Sequence, residues 1–232
     1  MDITLVQHTL ATSVTGTSIS KAYASNNTLG NCLVLVAVDG NGVSTNPFTP
    51  SDTLGNTYTL AKFIGSGSIF NDIAIYVVPN CMGGANTVTV TNTTTVNMQI
   101  AISEWSGLAP VSVVDQTNGN GQQAGANGIV TVNSITPTQN NELIIAAAAM
   151  GGADTITGET LTVLENNSPD GKEDCCVQYS IQVGLTTVGA SWTDNQGASA
   201  IAAMAIVSLF PFSLGSVGGA GQNDITGGVR IT

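Results

Sequence analysis

Asp174-Cys175-Cys176-Val177-Gln178-Tyr179-Ser180-Ile181-Gln182-Val183 alternates with a period of two. Cys175, Val177, Tyr179, Ile181 and Val183 fall on one side, and Gln178, Ser180 and Gln182 on the other, as in a half-buried strand. The pattern recurs outward from this stretch. Val88 and Val90 alternate with Thr87, Thr89 and Thr91; Met98, Ile100 and Ile102 with Gln99, Ala101 and Ser103; Val130 and Val132 with Thr131 and Asn133. Turn-forming runs lie between them, such as Asp39-Gly40-Asn41-Gly42, Cys81-Met82-Gly83-Gly84, Asn118-Gly119-Asn120-Gly121 and Pro169-Asp170-Gly171. Short strands, frequent turns and few helix caps predict an all-β fold: a jelly-roll-like antiparallel β-sandwich with extended terminal arms.

Two segments do not alternate. Leu143-Ile144-Ile145-Ala146-Ala147-Ala148-Ala149-Met150 and Ile201-Ala202-Ala203-Met204-Ala205-Ile206-Val207 are apolar on every side, so periodicity leaves helix and strand both open. A weak internal repeat assigns them. Asn31-Cys32-Leu33-Val34 resembles Asn141-Glu142-Leu143-Ile144, Asp72-Ile73-Ala74-Ile75 resembles Asp174-Cys175-Cys176-Val177, Thr87-Val88 resembles Thr187-Val188, and Gln99-Ile100-Ala101 resembles Ala203-Met204-Ala205, in the same order. The Ala-rich runs then stand where strands stand, buried on both faces. The expected organisation is one sandwich over residues 1–211, with pseudo-repeats at 27–107 and 138–210 interleaved within it and a Gly-rich arm at 212–232.

Charge narrows the function classes. Of 232 residues (23.4 kDa), 42% are hydrophobic and only 8% charged, against about 25% charged in ordinary domains. Four Lys and Arg against fifteen Asp and Glu give a net charge of −11. Four cations cannot neutralise the phosphates that drive nucleic-acid binding, and anionic membrane surfaces are disfavoured for the same reason. The run from Ala198 to Phe210 is broken by Ser199 and Ser208 and falls short of the ~20 residues of a membrane helix. Met1-Asp2-Ile3-Thr4 opens the chain without a basic and apolar leader, so no signal peptide is expected.

Chemistry-bearing residues are sparse. Cys32, Cys81, Cys175 and Cys176 form no C-x-x-C pair, which removes the basis for a zinc site. Buried thiols are the expected state, with Cys175 and Cys176 on opposite faces of a sheet, and a Cys32–Cys81 disulfide stays open. The single histidine, His8, has no Gly-x-Ser-x-Gly elbow to serve and is expected on a strand surface. Glu104 beside Trp105, with Glu142, has the residue types of a glycosidase acid/base pair, but strand-end carboxylates are the expected reading. Asp39-Gly40-Asn41-Gly42, and Asp170, Glu173 and Asp174 around Lys172, have some calcium-loop oxygens without the remaining ligands, so turns are expected. Tyr58, Phe63, Phe70, Tyr76 and Tyr179 fall in strand-like runs and are expected in the core. No catalytic residue, cofactor or metal ligand is assigned.

What remains is an exterior of Thr, Asn, Ser, Gln and Gly. Such surfaces lose little on desolvation and suit burial against copies of themselves. The succession Asn31-Cys32-Leu33-Val34-Leu35-Val36-Ala37-Val38, Thr57-Tyr58-Thr59-Leu60, Ile73-Ala74-Ile75-Tyr76, Thr87-Val88-Thr89-Val90 and Ser103-Glu104-Trp105-Ser106-Gly107 resembles the Thr/Gly-rich β-sandwich domains of bacteriophage virion proteins and bacterial surface proteins. The resemblance spans roughly residues 3–210 and carries no functional residue with it. It implies a non-enzymatic virion protein, a capsid decoration or fibre subunit whose partners are copies of itself or a viral capsid or tail protein. The expected assembly arm carries Phe212, Leu214, Val217, Ile225, Val229 and Ile231. The alternative is a carbohydrate-binding or adhesin module that meets a host-surface glycan with Trp105 and Trp192 as stacking residues.

Overall fold

A computed structural model of the chain describes residues 2–66, 69–151, 155–166, 173–197 and 201–213. Its named elements are fifteen strands, paired antiparallel, and the fold is an all-β sandwich. The first seven are β1 (Thr4–Leu10), β2 (Val14–Ala22), β3 (Cys32–Asp39), β4 (Phe48–Asp52), β5 (Thr59–Ser66), β6 (Ile69–Val78) and β7 (Thr87–Ser106). They form one sheet in the order β1-β7-β3-β6-β5, with β2 and β4 also paired to β7. The 20-residue β7 serves two layers. Its first part pairs β2 and β4 through positions such as Val88 and Val90; from Met98 onward it pairs β3 and then β1.

The remaining strands are β8 (Val114–Gln123), β9 (Ile129–Thr131), β10 (Glu142–Gly151), β11 (Ile156–Thr157), β12 (Thr162–Glu165), β13 (Glu173–Gln182), β14 (Ser191–Asp194) and β15 (Ile201–Leu209). They form a five-stranded sheet, β12-β13-β10-β15-β8, and a three-stranded one, β11-β14-β9. Replacing each strand of the first half by its counterpart converts β1-β7-β3-β6-β5 into β8-β15-β10-β13-β12. The two parts of β7 correspond to β14 and β15. The halves therefore follow one another along the chain and stack, instead of interleaving in a single sandwich. The N-terminal residues also form no arm: β1 and β2 are sheet members held by β7.

Pairing register supports the correspondence at single-residue level. Val34 faces Val77 and Val36 faces Ala101; the counterparts Ile145 and Tyr179, and Ala147 and Ala205, face each other in the same way. Register shifts recur too, between Leu60 and Lys62 and between Val163 and Glu165, and again at Val6 and at the counterpart Asp115–Gln116. This register matches Leu33 to Ile144, one residue beyond the alignment suggested by sequence similarity. A one-residue slip exchanges the two faces of a strand, so the pairing decides.

Three cores separate four layers. The central one packs Val34, Val36, Ile75 and Trp105 against Ile145, Val177, Ala205 and Val207. On one side Leu35, Tyr76 and Ile100 meet Ile19, Phe48 and Val88; on the other Ile144, Ala146 and Met204 meet Val130, Val132 and Trp192. Strands β10 and β15 therefore have apolar layers on both faces, which removes any alternation from their sequence, and Ala lets the layers approach closely. Each Val, Ile or Leu fully buried this way contributes roughly 1.5–3 kcal/mol. Cys175 joins the central core and Cys176 the outer one, on opposite faces as their adjacency predicts. Polar contacts also join the halves. Asn71 Nδ2 donates to the carbonyls of Ala149 and Ile201, and Gln99 donates to Ala11 O while accepting from Cys175 N–H. Trp105 and Tyr179 meet edge-on across the central core, ring centroids 5.1 Å apart.

Candidate functional site

Six carboxylates of this protein are turned inward. Asp39, Asp72, Glu104, Glu142, Asp174 and Asp194 are buried, and Lys21, Asp52, Lys62, Asp115, Glu159 and Glu165 are partly buried. Among the charged residues whose side chains are described, Asp2 alone is exposed. Asp39, Asp72, Glu104, Glu142 and Asp194 each accept from a backbone amide N–H.

Glu104 sits at the end of β7 and accepts four hydrogen bonds: from Gln7 Nε2 (2.6 Å), Asn27 Nδ2 (2.8 Å), Thr28 N–H (2.8 Å) and Asn31 Nδ2 (2.6 Å). Burial pushes its carboxyl up, but these donors together outweigh burial and hold it below the ordinary glutamate value. A carboxylate so engaged ties β1 and the loop before β3 to β7. It has neither a free lone pair nor the raised pKa of a general acid. Glu142, at the start of β10, belongs to a separate network. It accepts from Gln139 N–H at 2.8 Å, while Asp115 accepts from Thr138 N–H and Oγ1 and Gln116 N–H donates to Ser208 Oγ. Burial raises the Glu142 carboxyl, Ser208 and the Gln139 amide oppose the rise, and neighbouring Asp115 adds to it. The two glutamates are thus strand-end anchors with different partners, not a facing pair.

At the opposite end of the first half, Asp39 and Asp72 are register partners on β3 and β6. Asp39 accepts from Asn41 N–H (2.9 Å) and Asn92 Nδ2 (2.5 Å), and Asp72 from Val43 N–H (2.9 Å). The Asp39-Gly40-Asn41-Gly42 segment is accordingly a turn closed on its own aspartate, with donors where a cation would need oxygens. Burial, together with its Asp39 neighbour, pushes the Asp72 carboxyl up to about 7, and burial also raises Asp39. Asp174 lies on β13, while Asp170 and Lys172 of the second acidic cluster lie outside the described residues.

Other expected residues fall as follows. His8 on β1 is exposed and pairs through Nδ1 with Oε1 of the partly buried Glu165 on β12 at 2.7 Å, bridging the two halves. Cys32 and Cys81 are both free thiols, and burial pushes them up to about 12 and about 11 respectively. Trp105 and Trp192 have no exposed surface, which corrects the stacking expectation: each fills a core, Trp105 donating to Ser103 Oγ, and neither presents a ring to a sugar. Of the expected arm, Phe212 is half-buried; Leu214, Val217, Ile225, Val229 and Ile231 lie outside the described residues.

The surface feature that stands out is the end where the chain leaves β15. Pro211 bridges Leu108, and Phe212 N–H donates to Gly107 O at 2.7 Å, which seats Phe212 between the halves. Gly107 has φ +78° there, and a Cβ would run into the Asp2 carbonyl. A groove of about 550 Å³ opens on one side of Phe212, lined by Asp2, Ile3, Asn141, Ile181 and Ser213. A second, of about 350 Å³, opens on the other side, lined by Leu29, Asn80, Leu108 and Pro110. Around them Leu29, Met82, Val111, Ile181, Val183 and Leu185 are 41–73% exposed. Sequence reading missed this cluster because its members come from four separate stretches of the chain, and the alternation of Ile181 and Val183 reads as a core face. No family model, curated protein or solved structure matches the chain.

Proposed function

We propose that the protein is a non-enzymatic structural subunit of a bacteriophage virion, a capsid decoration or fibre component that assembles through neutral polar surfaces and its C-terminal segment. The observation that carries this reading is the distribution of charge: six carboxylates are buried, and among the charged residues whose side chains are described Asp2 alone is exposed. A surface of Thr, Asn, Ser and Gln packs against a neighbour without desolvating ions, whereas an isolated soluble domain ordinarily carries dispersed Lys and Glu. The engaged carboxylates support a non-enzymatic role, since Glu104 accepts four hydrogen bonds and is held in its ionised form. The strand order β1-β7-β3-β6, with β2 and β4 on the first part of β7, supports reading each half as a jelly-roll-like unit. The carbohydrate-binding alternative loses its two stacking residues to the cores.

Deleting residues 213–232 tests the reading. All three cores lie before that point, so the truncated chain is expected to keep its thermal transition while losing assembly. Unchanged assembly of the truncated chain counts against the role of the segment.

A further inference from the structure

The charge distribution explains why the surface can be buried but not where. The exposed apolar residues answer that. Leu29, Met82, Val111, Val183 and Leu185 are each more than half exposed, and all belong to the end at which the chain leaves β15. They lie outside the strands, in connections of both halves. A monomer that exposes such a patch has a partner for it.

We propose that this end is the seat of a second copy of the chain, with residues 214–232 of each copy lying in the two grooves that flank Phe212 of the other. The inference rests on the assembly reading above and specifies its contact. Four observations carry it. Ser213 lines the larger groove, so the nineteen residues that follow begin at the face itself and reach at most ~60 Å. Val229 and Ile231 alternate in the sequence with Gly228, Arg230 and Thr232, the spacing of a strand with one apolar side. Arg230 is the only cation of the segment, and the exposed carboxylate of Asp2 lines the groove. Gly215, Gly218, Gly219 and Gly221 form a spacer that a segment returning to its own adjacent groove does not need. Two copies meeting end to end make a self-complementary two-fold contact in which both segments cross the same interface.

The full-length chain tests this. A photo-crosslinking amino acid replaces Val217 or Val229 in heavy- and light-isotope preparations, which are mixed through dilute solution, reconcentrated, irradiated and mapped by mass spectrometry. The expected result is heavy–light cross-links to peptides carrying Leu29, Val111 or Ile181. Cross-links confined to one isotope overturn the proposal in favour of the chain's own segment. Cross-links to other faces, or none, overturn it as well. Mass measured on the same samples separates the two levels: an oligomer cross-linked elsewhere removes this seat and leaves the assembly reading, whereas a 23.4 kDa monomer at every concentration removes both. As a second variant, Val111→Asp with Val183→Asp alters only exposed positions, at 72% and 73%. It is expected to weaken association at least tenfold without moving the thermal transition.

Discussion

The two halves of the chain carry the same strand order and register, yet they anchor the same loop with different residues. In the first half the carboxylate sits on β7: Glu104 accepts from Thr28 N–H, and Asn31 donates to it from the start of β3. In the second half the position of Glu104 is Ser208 and the position of Asn31 is Glu142, so the carboxylate has moved to the facing strand and accepts from Gln139 N–H. Gln7 and Gln116 occupy equivalent places and both donate into the site, one by its side chain and the other by its backbone. A buried backbone amide needs an acceptor, and the fold supplies one from whichever strand carries it. The difference lies in what surrounds the acid. Four donors outweigh burial and hold Glu104 ionised, whereas burial, with Asp115 adding to it, pushes Glu142 toward its neutral form.

Core substitutions should separate the halves most strongly. Trp105→Ala removes the ring that joins them and is expected to cost about 3–5 kcal/mol, with the whole molecule melting earlier in chemical denaturation. Trp192→Ala should cost a similar amount but act locally, speeding hydrogen exchange in β9, β11 and β14 while leaving β2 and β4 unchanged. Equal acceleration in both outer layers would show that the halves do not hold separate outer cores.

The anchors come next. Glu104→Gln leaves donors facing an amide and is expected to cost about 2–3 kcal/mol in urea unfolding near neutral pH. Glu142→Gln should cost less, about 1 kcal/mol, because Glu142 accepts from Gln139 N–H where Glu104 accepts from four donors. The reverse order would contradict the contrast drawn here.

These anchors also mark how much was legible in the sequence. Alternation in Asp174–Val183 and its relatives marks the strands, and the repeat turns the Ala-rich runs into strands. The expectation of one buried face fails: Gln178 and Gln99 on the polar side are buried, because layers cover both faces, while Ile181 and Val183 on the apolar side run out to the exposed end. The register of β3 against β10 is not readable, because both runs are apolar at every position and similarity alone slips by one residue. The exchange of carboxylate between Glu104 and Glu142 hides the matching sites from any residue-by-residue comparison. The apolar end is invisible for a different reason: Leu29, Val111 and Val183 are far apart in the chain and meet only through the stacking of the halves.

Titration should tilt the two ends of the first half in opposite directions. Asp72 binds its proton more tightly folded than unfolded, so the stability it supplies is full below about pH 4 and is lost as pH rises through about 7. Glu104 and Asp52 are lowered, so their contribution is present above the ordinary carboxylate range and lost as pH falls through it. Asp72→Asn should flatten the loss between pH 5 and 8, and Glu104→Gln should flatten the acid side; melting curves across pH read both. Unchanged slopes would show that neither group shifts on folding.

The smallest effect is expected from the bridge between halves. His8→Gln breaks the contact with Glu165 at a partly exposed site and should change stability by less than about 1 kcal/mol. A larger loss would mean that the two halves depend on this contact more than on their shared core.

Sedimentation equilibrium of the full-length chain over a wide concentration range tests the central claim most directly. An inward-turned charge set and an apolar exit end predict a mass that rises with concentration to a multiple of 23.4 kDa. A mass fixed at 23.4 kDa up to the highest concentration would contradict it.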